Sequence, residues 1–229
     1  MRRASSGSSS VVRNPTWDRW RPHPVDARRA WGQDNSWGDV YVYEVFLSYR
    51  RGVIHSQWLV EHFVPLFKDR LREEIAEQCD RDAGELFLDV NEVQPGMSIG
   101  DKVVDGLKTA RCLVALLSPS YFRSPWCLVE WDSFRTRGHG LVVPTILSQG
   151  VTVRRAVGDT MWADFSDYTI IGEGFKKTER YVAFQDEIKR LAKRVATVIA
   201  SAPAWSNFSV CNPPVTPVAP ATSIQRIGL

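Results

Sequence analysis

Short runs of continuously apolar residues alternate with amphipathic helical patterns along the middle of the chain, and this alternation limits the fold more than any other feature. The clearest apolar runs lie at residues 45–47, 86–88, 112–117 and 141–147. Strands that are apolar on both faces are typical of parallel sheets covered by helices on each side. We therefore predict an α/β fold in which right-handed crossovers join parallel strands.

The strand count narrows the prediction to one topology. Strands are predicted at residues 41–48, 86–88, 112–117, 141–147 and 162–165. The common small fold with five such strands is flavodoxin-like, with the order 2-1-3-4-5 and helices on both faces of the sheet. Its switch point lies between strands 1 and 3, where a ligand crevice forms at the carboxyl ends. The segments that follow these two strands should therefore flank one crevice.

Serine and proline residues mark the predicted starts and breaks of the elements. Ser56 and Ser98 resemble helix N-caps. Pro65 falls inside the apolar stripe of the first helix and should kink or divide it. Pro144 predicts a bulge or an imperfect ladder in the fourth strand. The last helix has apolar residues at three- and four-residue spacing over residues 181–198.

The two ends of the chain differ in composition from this middle part. Residues 1–40 are rich in Ser, Arg and Trp, and residues 203–229 are rich in Pro. We predict a flexible arm and a disordered tail around a folded domain at 41–202. The first 31 residues carry seven Arg and two Asp, so a whole-chain net charge of +3 leaves −2 for the rest. The core is therefore not expected to bind nucleic acid, whereas the arm and the tail are candidates for docking a partner protein.

The cysteine spacing and the hydropathy of the chain favour a cytoplasmic location. The cysteines show no CxxC pair and no metal-ligand spacing, so free thiols are predicted at Cys79, Cys112, Cys127 and Cys211. No apolar run reaches the roughly 18–20 residues that a membrane-spanning helix needs. The N-terminus lacks the apolar segment of a secretory signal. We expect a cytoplasmic protein without a membrane span, a metal or a bound cofactor.

The best candidate for chemistry follows the third strand, in the sequence SPWCLVE that begins at Ser124. Ser124 is predicted to cap a helix whose first residue is Pro125. Glu130 then lies about one and a half turns into that helix, near the carboxyl edge of the sheet. Arg50 and Arg51 follow the first strand and should face Glu130 across the crevice.

Helical spacing supplies the expected surroundings of Glu130. Trp126, Cys127 and Phe134 lie three or four residues from it and share its face, which predicts an apolar wall that excludes water. A single glutamate on a helix is more often a solvated residue, and Trp126 is more often a core residue than a ligand platform.

Three segments, in this order, are similar to signature boxes of toll/interleukin-1 receptor (TIR) domains. EVFLSYRR, beginning at Glu44, resembles the first box. LFLD, beginning at Leu86, with Pro95 and Gly96 after it, resembles the second strand and the BB loop. LLSP, beginning at Leu116, together with SPWCLVE resembles the third strand and the glutamate-bearing helix of catalytically active members. The similarity spans residues 41–202.

This resemblance implies a flavodoxin-like fold, self-association through TIR–TIR contacts and, in the enzymatic branch typical of bacteria, cleavage of NAD⁺ at the nicotinamide–ribose bond. It implies that Glu130 is the catalytic glutamate and that Arg50 and Arg51 lie near the dinucleotide. It also places Gln94 and Gly96 in the loop that helps to close the site. The implied NAD⁺-binding residues are Phe46, Ser48, Arg50, Arg51, Gln94, Gly96 and Trp126.

The chain also departs from the family pattern. The third box reads Met161-Trp162 where Phe-Trp is usual, and Val151 and Val153 stand where some members place a ring-stacking aromatic residue. Nicotinamide stacking would therefore fall to Trp126 or Phe46.

Three function classes remain open at this point. The first is an NAD⁺ glycohydrolase, or cyclase, of signalling or immune defence. The second is a non-catalytic scaffold in which residues 89–99 mediate TIR–TIR contact. The third is a nucleoside-processing enzyme on a similar sheet. The chain has no GxGxxG and no P-loop, so hydride transfer and kinase chemistry are not indicated.

Overall fold

One parallel sheet organises the part of the chain that the structure describes, which in this computed structural model comprises residues 41–88, 99–158 and 163–212. The strands lie in the order β2-β1-β3-β4-β5. They are β1 (Tyr43–Tyr49), β2 (Glu85–Leu88), β3 (Ala110–Leu117), β4 (Val142–Ile146) and β5 (Ala163–Asp164). This order confirms the predicted flavodoxin-like fold, with its switch point between β1 and β3.

Helices cover both faces of the sheet. They are α1 (Val53–Trp58), α2 (Val64–Cys79), α3 (Ile99–Thr109), α4 (Pro125–Arg137), α5 (Val151–Val157) and α6 (Glu179–Ala200). Side chains of α1, α2 and α6 belong to one apolar core, and side chains of α3, α4 and α5 belong to a second core on the other face. Within the described ranges, no helix has both the length and the apolar character needed to cross a bilayer.

The central strand β1 directs its side chains alternately to the two cores. Val45 and Leu47 lie in the core of α1, α2 and α6, and Phe46 lies in the core of α3, α4 and α5. Ser48 therefore points to the same face as Phe46, toward α4. In the β1–β3 ladder Ser48 is paired with Ala115, so the two strands end side by side.

The predicted break at Pro65 takes the form of a π-helical turn. Leu59–Phe63 is π-helical, and α2 resumes at Val64 with the proline in its first turn. A proline has no N–H to donate to the carbonyl four residues earlier, and a π turn shifts the hydrogen-bond register ahead of it. The predicted cap at Ser56 is wrong, because α1 begins directly after Gly52.

Pro144 lies in β4 without the predicted bulge, since β4 pairs with β3 in continuous register. The Leu147 N–H donates to the Leu117 carbonyl in β3, whereas the Ile146 carbonyl accepts from Phe165 on the β5 side. Successive residues of a strand bond to opposite neighbours, so Pro144 faces the β5 side. Its missing N–H therefore interrupts no bond of the β3–β4 ladder.

Helix α5 was not predicted from the sequence. It begins with β-branched residues, which disfavour a helix. Val153 and Val157, about one turn apart, are nevertheless buried in the core of α3, α4 and α5, and this packing outweighs local propensity. Strand β5 is shorter than the predicted segment 162–165, whose first residue lies outside the described ranges.

The predicted disordered tail begins with a segment that lies on the domain, and we call residues 203–212 the strap. The strap has no regular secondary structure, as its composition predicted. The strap nevertheless makes specific contacts with the domain. The Tyr41 hydroxyl donates to the Pro203 carbonyl over 3.0 Å, and the Cys211 N–H donates to Ser133 Oγ over 2.9 Å. The predicted arm at 1–40 and the tail from 213 lie outside the described residues.

The strap covers a half-buried cation at the end of α4. The Arg137 guanidinium lies 4.2 Å from the centre of the Phe134 ring and 4.5 Å from the centre of the Phe208 ring in the strap. It also donates to the carbonyl oxygens of Leu107 and Ala110. Burial lowers the pKa of Arg137 to about 10, which leaves it charged at neutral pH.

Candidate active site

Glu130 reaches the carboxyl edge of the sheet through the predicted helix start. Ser124 Oγ accepts a hydrogen bond from the Cys127 N–H over 3.4 Å, and Pro125 is the first residue of α4, so the predicted cap is confirmed. Only the turn Tyr121–Arg123 separates this helix from the end of β3. Glu130 is 6% exposed, so it is not the solvated residue that helical position alone would suggest.

Three buried side chains form a hydrogen-bonded chain at this edge. Ser48 Oγ, from the end of β1, donates to Glu130 Oε2 over 2.5 Å. The Tyr121 hydroxyl lies 2.7 Å from Ser48 Oγ. Ser48 and Tyr121 are 1% and 0% exposed. Residues from β1, the turn after β3 and α4 thus meet where the sequence predicted a crevice.

The groups around Glu130 are held in their neutral forms. Burial raises the pKa of the Tyr121 hydroxyl well above its usual range, and the nearby Glu130 charge acts in the same direction. Burial also raises the pKa of the Cys127 thiol to about 12, again assisted by Glu130. A thiol with this pKa is a poor nucleophile. The chemistry available here is therefore that of a carboxylate.

The α4 residues predicted to share the face of Glu130 are buried or half-buried. Cys127 and Phe134, at the predicted spacings from Glu130, are 3% and 0% exposed. Both side chains are therefore buried, and the predicted apolar wall around Glu130 stays a prediction. Trp126 is half-buried and packs against the core of α3, α4 and α5.

The predicted arginines lie in the exposed loop after β1. The positive charge of Arg50 opposes the rise in the pKa of Cys127, so its side chain lies near the thiol one turn before Glu130. Arg51 is exposed beside it in the chain. The charge of Arg50 thus acts on a residue one turn before Glu130 on α4. The roles of Arg50 and Arg51 toward the dinucleotide stay predictions.

Two residues of the predicted NAD⁺-binding set have other contacts in the structure. Phe46 is fully buried and stacks on Phe87 with 4.7 Å between ring centroids, so it packs in the core and offers no accessible face to a nicotinamide ring. Ser48 is 1% exposed and donates its hydroxyl hydrogen bond to Glu130. Both follow from the central position of β1, whose two faces are covered by helices.

Three other parts of the predicted site lie outside the described residues: Gln94, Gly96 and the box at Met161-Trp162. Their role stays a prediction. Elsewhere, in the ranges that the structure describes, no three His, Cys, Asp or Glu side chains are grouped closely enough to hold a metal ion.

Sequence reasoning missed Tyr121. No role was assigned from the sequence to the segment between the third strand and Ser124. The available signal was positional, since Tyr121 follows the end of β3 and β3 pairs with β1 up to Tyr49. A hydroxyl at that place was bound to lie near the last residues of β1.

A groove at the opposite, amino edge of the sheet is a less suitable site. Gln78, Cys79, Arg81 and Arg111 contribute to its lining. Its two arginines both lie against the buried Glu44, at 2.6 Å for Arg81 and 3.2 Å for Arg111. These cations are therefore already engaged in a structural ion cluster.

Solved structures of TIR domains resemble the chain. The TIR domain of the Toll-related receptor TRR-2 from Hydra magnipapillata is 14% identical, covers 63% of this chain and 98% of its own, and has a TM-score of 0.38. The TIR domains of the activated Roq1 resistosome, which directly recognises the pathogen effector XopQ, are 21% identical. They cover 69% of this chain and 83% of their own, with a TM-score of 0.34.

Comparison with curated proteins gave no match. The family model described as the TIR domain matches residues 45–180, which is more than half of the 229 residues. The matched segment contains the whole hydrogen-bonded chain of Ser48, Tyr121 and Glu130. The protein belongs to the TIR domain family.

Proposed function

We propose that this chain is an NAD⁺ nucleosidase that cleaves the nicotinamide–ribose bond and yields nicotinamide with ADP-ribose or a cyclic variant of it. One observation supports this proposal above all others. A carboxylate, Glu130, lies buried at the carboxyl edge of the sheet beside the β1–β3 switch point, held by a hydrogen bond from Ser48. Ligand crevices of open parallel sheets form at this place.

A single carboxylate suffices for this reaction. Ordinary glycoside hydrolysis uses two carboxyl groups, one of which protonates the leaving oxygen. The nicotinamide of NAD⁺ is already a cation and leaves as a neutral molecule, so no general acid is required. The remaining task is to stabilise the positive charge that develops on the ribose and to hold its hydroxyls. A carboxylate in surroundings that exclude water does both.

The loop after β1 supplies the binding groups in this proposal. Arg50 and Arg51 carry planar guanidinium groups, whose paired N–H donors match the oxygens of a pyrophosphate. The charge of Arg50 lowers the pKa of Cys127, which lies one turn before Glu130 on α4, and this effect supports a place for Arg50 near the site. The nicotinamide ribose would lie at Glu130, with Trp126, Gln94 and Gly96 completing the pocket.

The family membership adds context to the reaction. TIR domains self-associate, and we propose that assembly of this chain activates cleavage in signalling or immune defence. We propose a cytoplasmic location, which the four free cysteines favour because reducing compartments preserve thiols.

The test is nicotinamide release from NAD⁺ by the wild-type protein, Glu130→Gln and Glu74→Gln, with a crowding agent present. Glu74 is a matched control, because it is a buried glutamate on α2 in the opposite helical layer. We expect Glu130→Gln to reduce the rate by roughly 100–1,000-fold, the usual effect of removing one electrostatic stabiliser. Glu74→Gln should retain the wild-type rate.

The other functional class is a non-catalytic TIR scaffold. A scaffold makes no use of a carboxylate in the crevice. The effect of replacing Glu130 therefore distinguishes the enzyme from the scaffold. If the folded wild-type protein self-associates but releases no nicotinamide at any concentration, the scaffold is correct and the enzymatic proposal is wrong.

A further inference from the structure

The hydrogen bonds that lead from Tyr121 through Ser48 to Glu130 run in one direction. An ionised carboxylate accepts hydrogen bonds and cannot donate them, so the single hydroxyl proton of Ser48 points to Glu130 Oε2. Ser48 then has no proton for its second partner. In the 2.7 Å contact between the two hydroxyls, Tyr121 must therefore be the donor and Ser48 the acceptor.

The Tyr121 hydroxyl is well suited to that role. Its ring is fully buried and lies edge-on to Phe122 and Trp131, with centroids 5.4 Å and 6.4 Å away. These contacts fix where the hydroxyl points. Trp131 is also the neighbour of Glu130 on α4, so the same helix that carries the carboxylate holds the tyrosine ring in place.

We infer that Tyr121 is a positioning residue which acts through Ser48 to hold the Glu130 carboxylate in its reactive orientation. This inference rests on the proposed function. The Tyr121 hydroxyl keeps the Ser48 hydroxyl directed at Glu130, and a donor that itself accepts a hydrogen bond is polarised and binds its acceptor more strongly. Tyr121 itself does not touch the substrate.

The arrangement makes a specific prediction about how the two hydroxyls depend on each other. Tyr121 is hydrogen-bonded to Ser48 and reaches Glu130 through it, so its contribution should vanish when Ser48 is replaced. A tyrosine that only fills the core would behave differently, because Tyr121→Phe keeps the ring and all its aromatic contacts. The substrate should bind as before, since the pyrophosphate contacts are not affected.

The experiment is a kinetic double-mutant cycle on NAD⁺ cleavage with Tyr121→Phe, Ser48→Ala and the double variant. We expect Tyr121→Phe to lower kcat about tenfold, which is the typical effect of losing one hydrogen bond to a charged network. KM should stay within twofold of the wild-type value. In the Ser48→Ala background, the added Tyr121→Phe should change kcat by less than about twofold. Tyr43→Phe is the matched control, because Tyr43 is a partly buried tyrosine at the other end of β1.

The outcomes separate this inference from the proposed function. If the wild-type protein is active and Tyr121→Phe has the same kcat, the inference is wrong. It is also wrong if the fold-losses of kcat in the two single variants multiply in the double variant, because Tyr121 then does not act through Ser48. The inference would also be overturned if Tyr121→Phe and Tyr43→Phe lost kcat equally and both had a lowered melting temperature. If the wild-type protein and Glu130→Gln are equally inactive, the proposed function fails and the inference fails with it.

Discussion

The two polar residues of β1, Glu44 and Ser48, lie near opposite ends of the strand and have separate partners. Ser48 bonds to Glu130 at the carboxyl end. Glu44 at the amino end is 4% exposed and receives two hydrogen bonds from Arg81, of 2.6 Å and 2.9 Å, and one of 3.1 Å from the Gly84 N–H. A paired carboxylate of this kind stabilises the fold, because its loss leaves two half-buried cations without their partner.

This residue-scale cluster makes stability depend on pH. Burial alone would raise the pKa of Glu44, but the Arg81 hydrogen bonds and charge, with Gly84 and Arg111, outweigh burial and hold it below its ordinary value of 4.5. The stabilisation is therefore complete above the unfolded-state pKa and is lost as the pH falls through the folded-state value. We expect Glu44→Gln to lower the free energy of unfolding by about 2 kcal/mol at pH 7.

The measurement is urea unfolding of both proteins between pH 7 and pH 3, in which the difference should shrink below about pH 4.5. Glu85→Gln is the control, since its carboxylate is 45% exposed and pairs with Lys68 across 3.0 Å. Its loss should change stability by at most about 1 kcal/mol. An unchanged difference between wild type and Glu44→Gln at pH 3 would contradict this account.

Residues differ in how well the sequence predicted them. Glu130 could be predicted because Ser124 and Pro125 fix the start of its helix, and helical spacing then fixes its neighbours. The hydrogen bonds of Ser48 could not be predicted, because they depend on the register of β1 beside β3 and on the turn that carries Tyr121. The stacking of Phe46 on Phe87 could not be predicted either, because strand alternation shows which face Phe46 points to but not which side chain covers it.

At the scale of elements, the packing of α3 on the sheet depends on one glycine. A Cβ added at Gly106 would lie 2.7 Å from a ring carbon of Phe87, far inside van der Waals contact. That ring cannot easily move away, because it stacks on Phe46 and lies edge-on to Tyr43 at 5.1 Å. The helix therefore approaches β2 and β1 as closely as a residue without a side chain allows.

We expect Gly106→Ala to lower the free energy of unfolding by about 1–3 kcal/mol, the typical effect of overpacking, despite the higher helix propensity of alanine. Chemical unfolding monitored by tryptophan fluorescence measures it. Gly174→Ala is the matched control, because nothing lies within 4 Å of a Cβ there. Equal stability of the two variants would show that α3 has room to shift.

Element prediction succeeded where pattern and packing agree. The apolar runs of β1 and β3 predicted central strands because both of their faces are buried, and the stripe of α6 predicted a helix because seven of its residues are buried. Helix α5 was missed because its buried valines give no helical stripe in so short a segment. Pro144 predicted a bulge because the sequence does not show which neighbour its nitrogen faces.

At the scale of the whole domain, the strap joins parts of the chain that are far apart in sequence. Phe208 stacks on Tyr41 with 6.2 Å between ring centroids and covers Arg137 of α4. Trp205 donates from its indole nitrogen to the carbonyl of Lys108 at the end of α3. Proline content predicted the absence of regular structure, but composition could not show that these aromatic side chains have binding places on the domain.

We expect Phe208→Ala to lower the melting temperature, because it removes one aromatic stack and one cation–π contact, together about 1–2 kcal/mol. Differential scanning calorimetry measures this effect. Asn207→Ala, an exposed neighbour in the strap, should leave the melting temperature unchanged. A Phe208→Ala protein as stable as the wild type would mean that the strap contributes nothing to the fold.

The central claim is that the carboxylate held by Ser48 cleaves the nicotinamide–ribose bond of NAD⁺. It is tested most directly by the ratio of initial nicotinamide-release rates between the wild-type protein and Glu130→Gln, both verified as folded. The account predicts a ratio of roughly 100 or more. A ratio near one, with measurable release by both proteins, would contradict it.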